Sequence, residues 1–148
     1  MAGLRPHLEH GPETHLVGEN IVGGTLVQPG SGGTAGKVIK AAVDSTTVLG
    51  LAIGDAAATS GAVAATQDAW GRYSSGGLTP PNEVAVAYRG SWWVKNTSGV
   101  AWTYGQALYS GANGILQGAT TTGRLVGFCI EPAGVANNAE GRVRLQLG

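Results

Sequence analysis

With 148 residues the chain is long enough to bury one domain core. Its 26 glycines exclude a helical bundle, and 43% hydrophobic residues against 12% charged exclude a disordered chain. Nine basic residues balance nine acidic ones without a run of either, which argues against nucleic acid or an anionic membrane surface as partner.

Residues 1–16 are polar, carry Pro6, Gly11, Pro12 and the histidines His7, His10 and His15, and show no periodicity. They read as an extended N-terminal arm, with a single β-domain over 17–148. No apolar leader region stands in this segment, so the protein is expected to be made in the cytosol and to stay there or join something assembled there.

From Ile21 onward short apolar runs alternate with glycine turns, the pattern of an antiparallel β-domain. Strands are expected near 24–28, 36–43 and 47–53, with turns at "PGSGG" and "DST". Residues 55–82 read as a loop insertion. Its alanine-rich start, "DAAATSGAVAATQDA", leaves a short helix or an irregular loop open, and the Pro80–Pro81 pair excludes helix at its end. "ANG" at 112–114 is a hairpin-type turn signal. In the last strand Val143, Leu145 and Leu147 alternate with Arg142, Arg144 and Gln146, which makes one face wet. The lone cysteine, Cys129, sits in an apolar run and reads as a small buried hydrophobe; no intramolecular disulfide can form.

A weak internal repeat is visible. "GTLVQPG" (24–30) echoes "GQALYSG" (105–111), and "LGLAIGDA" (49–56) echoes "VGFCIEPA" (126–133). Two similar units closing on one core suggest a small barrel or sandwich. Chance echoes in a glycine-rich β-protein are the plain alternative.

No catalytic constellation emerges. Nucleophilic catalysis needs a hydroxyl or thiol beside an oriented base, yet the histidines lie on the arm, where nothing rigid holds an imidazole. The carboxylates Asp44, Asp55, Asp68, Glu83, Glu131 and Glu140 fall at turns or strand ends, where a solvated surface is the ordinary role. "GSGGTAG" matches no phosphate-binding pattern. The spacing of His7, His10 and His15 lacks the scaffold of a zinc site. The chain is read as a non-enzyme with no metal or cofactor.

Aromatic residues concentrate instead: six of the nine fall between 88 and 109. If the strand at 83–95 alternates without a break, Val84, Val86, Tyr88, Trp92 and Val94 share the core face. Trp93 then lies on the opposite face with Arg89 and Lys95. Burying a tryptophan is worth on the order of 4–6 kcal/mol, so a second surface is expected over Trp93. A loop such as 70–81, a neighbouring subunit or a ligand could supply it. Arginine beside an aromatic residue favours an interface, so Arg89, Trp93 and Lys95 are expected to meet a subunit or a partner.

In chain order, the polar arm is followed by "GENIVGGTLVQPG", "GKVIKAAVDSTTVLGLAIGDA", "EVAVAYRGSWWVKN", "AWTYGQALYSGANGIL", "GRLVGFCIEPA" and "GRVRLQL". Over about 17–148 this order resembles the capsid decoration (cement) proteins of tailed bacteriophages, of the β-tulip-like type. The resemblance implies an all-β fold, a small glycine-rich antiparallel β-barrel or sandwich with an extended arm. It implies a structural virion protein on the capsid exterior that bridges capsomers of the mature head. Its partners would be the major capsid protein and further copies of itself, as a homotrimer at three-fold and quasi-three-fold positions. It would make Leu4, Arg5, Pro6, His7, Leu8, His10 and His15 part of a capsid-binding arm. The insert at 55–82 departs from the pattern. Another virion β-domain (tail tube, fibre or baseplate) and a carbohydrate-binding module are the other readings.

Overall fold

A computed structural model of the chain describes residues 12–58, 82–118 and 122–147. The described strands are β1 (Glu13–Leu16), β2 (Leu26–Pro29), β3 (Val38–Lys40), β4 (Gly50–Ala52), β5 (Glu83–Ala87), β6 (Arg89–Lys95), β7 (Ala107–Ser110), β8 (Leu116–Gln117), β9 (Gly127–Cys129) and β10 (Glu140–Gln146). They form two antiparallel five-stranded sheets, ordered β1-β5-β4-β2-β3 and β6-β10-β9-β7-β8. The fold is all-β, as composition and glycine spacing indicate. The expected ambiguity at 55–69 and the loop through Pro81 fall almost wholly outside the described residues.

The two sheets are two copies of one unit. Laying the first strand order on the second also superimposes their registers. Leu26 faces Leu51 and Val27 faces Gly50; in the same way Ala107 faces Phe128 and Leu108 faces Gly127. The next strand follows suit, with Leu51 opposite Ala87 and Phe128 opposite Arg144. The N–H of Gly24 donates to the Ala52 carbonyl and that of Gly105 to the Cys129 carbonyl, both at 2.8 Å. An isolated bridge joins Ile21 to Ala56 in one copy and Trp102 to Val135 in the other. The echoes read in the sequence are therefore structural equivalents. In the second copy the chain passes from Val135 to Ala139 in one tight turn. In the first, the undescribed residues 59–81 fall at that place.

Expectation and structure differ at the junction of the copies. The stretch 83–95 is not one strand with one core face. It breaks at Tyr88, leaving β5 in the first sheet and β6 in the second. Gly90, at φ +93°, eases the change of direction. Val84 and Val86 consequently pack with Val17, Ile21, Val27, Val38, Ala52 and Ala56 on the outer side of the first sheet. Val94, with Tyr88 and Trp92 packed alongside, belongs to the larger cluster between the sheets. Ala87, which unbroken alternation would put on the Trp93 face, is buried there too. The first sheet is thus covered on both faces, and the chain has two apolar clusters rather than one.

Leu26, Leu51 and Ala87 share a face by register and enter the cluster that contains Trp102, Leu108, Cys129, Val143 and Leu145 of the second copy. Polar bonds hold the copies together at one end. The buried Ser110 hydroxyl donates to the Ala42 carbonyl at 2.7 Å, and the Arg124 guanidinium donates to the Val48 carbonyl at 3.2 Å. Cys129 is free and fully buried.

The turn after β6 is organised by Asn96, fully buried. Its amide donates to the carbonyls of Val100 (2.8 Å) and Val135 (3.1 Å), and its Oδ1 accepts from the Ser98 N–H and hydroxyl. Such saturation is what keeps a buried amide from costing stability. At 112–114 the expected turn is present, with Asn113 and Gly114 both in the left-handed region.

Candidate docking face

β10 alternates exposed and buried residues along its whole length, and β6 exposes Arg89, Ser91, Trp93 and Lys95. Because β6 pairs with β10, Trp93 stands beside Arg142 and Ser91 beside Arg144. One strand further, Phe128 and then Ala107 continue the row that begins at Ser91 and Arg144. The outer face of the second sheet is therefore a basic surface around an exposed indole. Trp93 is 67% exposed, while its neighbour Trp92 turns inward against the core and donates its indole N–H to the Arg89 carbonyl at 2.8 Å.

The charged groups that alternation places beside Trp93, Arg89 and Lys95, are both on its own strand, whereas the structure brings one from another. The Arg142 guanidinium lies 5.9 Å from the Trp93 ring centroid and is held there by Glu131, at 3.2 Å from Nε to Oε2. An arginine over an indole contributes about 0.5–1 kcal/mol at an exposed site. Arg89 sits 5.9 Å from the Tyr88 ring at the start of the strand, and with Gly90, Arg144 and Gln146 it lines an open cleft at the edge of this face. Lys95 lies opposite Glu140. Arg142 and Arg144 were read as the wet side of a strand, but which residues they adjoin depends on the β6–β10 register.

Four residues expected in the arm, Glu13–Leu16, are a strand instead. Glu13–Leu16 pairs with β5 in full register, His15 opposite Val84, so these residues belong to the first sheet. Alternation failed to flag them because an edge strand with one neighbour needs little apolar surface; of its four residues none is fully buried. His15 lies 3.4 Å from Glu13 within the strand. Leu4, Arg5, Pro6, His7, Leu8 and His10 lie outside the described residues. Among the described residues no group of three or more His, Cys, Asp or Glu could hold a metal ion, and no helix is long and apolar enough to cross a membrane.

The exposed indole leads to a simple expectation. Trp93→Ala should cost no more than about 1 kcal/mol of folding stability in urea titration, the contribution of the Arg142 contact, since no core contact is lost. A loss above about 1.5 kcal/mol would mean that the indole is packed into this chain's own structure after all.

Against known families, the sequence model of the structural cement proteins of phages (E217 gp24/Pam3 gp6) matches residues 7–148. The chain belongs to that family. The match spans both sheets and begins before the first strand. This cement protein is a structural component of a virion. Its fold is also that of the N base of head fibre gp8.5 in bacteriophage phi29. That crystal structure aligns with a TM-score of 0.58 and 14% identity, covering 90% of this chain and 92% of the other. No curated protein matches the cement protein.

Proposed function

We propose that this cement protein binds the outer surface of the mature phage head and stabilises it by bridging neighbouring capsomers. The observation that carries the reading is the family match over 7–148, which takes in residues ahead of the first strand as well as the β-domain. The major capsid protein is the partner. Residues 1–11, including Leu4, Arg5, Pro6, His7, Leu8 and His10, act as an arm laid on the capsid, and His15 anchors the base of that arm in β1. An extended segment that orders on its partner covers a large area for its size, and several such contacts per particle resist shell rupture through avidity. Arg89, Trp93 and Lys95 form a second contact, and copies associate as homotrimers on the lattice. A fibre-holding base is the second reading, favoured by the shared fold with the phi29 head-fibre base.

The test is co-sedimentation of the purified protein with undecorated heads in expanded and unexpanded form. Saturable binding to expanded heads alone is the expected result, and binding to neither form would sink the proposal. Deleting residues 1–11 should weaken binding at least about tenfold while the far-ultraviolet spectrum stays unchanged. Deleting 1–16 is not equivalent, because it removes β1 from the first sheet.

A further inference from the structure

The duplication shows what the outer face of the second sheet corresponds to. In the first copy Leu26, Leu51 and Ala87 form a face that the second copy covers. By register their equivalents in the second copy are Ala107, Phe128 and Arg144, on the outer face around Trp93. The same face of the same unit is thus buried once in this chain and left outside once.

Charge divides along the same line. The described part of the first copy (12–58 and 82–87) carries Glu13, Glu19, Asp44, Asp55 and Glu83 against Lys37 and Lys40, a net charge of −3. The described part of the second (88–118 and 122–147) carries Arg89, Lys95, Arg124, Arg142 and Arg144 against Glu131 and Glu140, a net charge of +3. A chain neutral by count is therefore strongly polar from end to end.

From these two observations we infer that the Trp93–Arg142–Arg144 face takes the acidic first copy of a second molecule of this protein, so that molecules associate head to tail. Within one chain the face equivalent to this one is already covered by a repeat unit. Only the first unit of another molecule brings such a unit with opposite charge. Its edge strand β1 offers matching chemistry: Leu16 is 43% exposed, and its register partner Glu83 is exposed beside it. An apolar side chain beside a carboxylate meets an indole beside two guanidiniums. The contact joins two different surfaces, so successive molecules close into a ring where the rotation permits. This assigns to a neighbouring subunit the Trp93 contact in the proposed function and rests on that reading.

Sedimentation equilibrium of the full-length protein without heads tests it. A single assembly of fixed mass above the 14.9 kDa monomer is expected. Raising salt from low to high should weaken it about tenfold or more, because the contact is between opposite charges. Arg144→Glu puts like charges together and should weaken it about a hundredfold or more. Trp93→Ala should also weaken it, without altering the fold. Adding Glu83→Lys to Arg144→Glu in one chain should restore the assembly. A monomer at every concentration, or an unchanged mass for Arg144→Glu, overturns the inference. Dissociation by Arg144→Glu without rescue by Glu83→Lys overturns the assignment of the acidic edge. A monomer whose Arg144→Glu variant fails only in head co-sedimentation would give the face to the capsid, leaving the proposed function standing and this inference refuted.

Discussion

Trp102→Ala is expected to lower the unfolding free energy by about 3–5 kcal/mol, the cost of removing a large buried aromatic side chain whose site cannot collapse. Trp102 is the largest fully buried side chain among the described residues and sits in the cluster between the sheets. Its backbone is pinned on both sides by reciprocal 2.8 Å bonds with Val135, so the surroundings have little freedom to close over a cavity. In a protein of this size the loss corresponds to a fall in melting temperature on the order of 10 °C. Among the described residues the indole N–H has no hydrogen-bond partner, which separates packing from polarity. Trp102→Phe discards that buried donor together with part of the ring and should cost much less than the alanine variant. Urea titration of the three proteins decides the matter. Equal midpoints for parent and Trp102→Ala would show that this residue does not hold the core.

Gly127→Val should be still more damaging, leaving little folded protein at 37 °C. A Cβ at residue 127 would run into the Arg144 carbonyl oxygen on the neighbouring strand, and at the equivalent Gly50 it would run into the Ala87 carbonyl oxygen. Both contacts are with backbone, so no side-chain rotation relieves them. Overpacking of this kind costs about 1–3 kcal/mol where the structure can shift, and more where ladder bonds hold the strands. Here the Gln146 N–H to the Val126 carbonyl (2.9 Å) and the Ile130 N–H to the Arg142 carbonyl (2.9 Å) flank the site. Gly50→Val should behave alike, as the duplicated register requires. Gly33→Ala is the control, since nothing lies within 4 Å of a Cβ there and its backbone angle is not left-handed. That variant should stay within about 0.5 kcal/mol of the parent by thermal denaturation. A Gly127→Val protein as stable as Gly33→Ala would refute the close approach.

Much of the β-architecture could be read locally. The alternation Val143, Leu145, Leu147 gives β10 its buried face, the apolar run around Cys129 gives a buried strand, and Asn113–Gly114 gives a turn. The glycine-led echoes gave the equivalence of the two copies, because Gly24, Gly50, Gly105 and Gly127 answer to backbone constraints that act at single residues. β1 was missed for the converse reason: an edge strand with an exposed leucine leaves no apolar pattern to detect.

For the candidate face, composition and alternation by themselves determined that Trp93 is displaced from the core to which Trp92 belongs, and that Arg89 and Lys95 lie on its side. Only the tertiary structure decided that Arg142 stacks on it, that Arg144 and Phe128 extend the surface, and that the chain changes sheets at Tyr88. The physical reason is the period of the strand. Alternation within one strand is a property of neighbouring residues, so sequence carries it directly. Register between strands far apart in the chain is set by which faces can be buried together, and a slip of one residue exchanges every contact on the face.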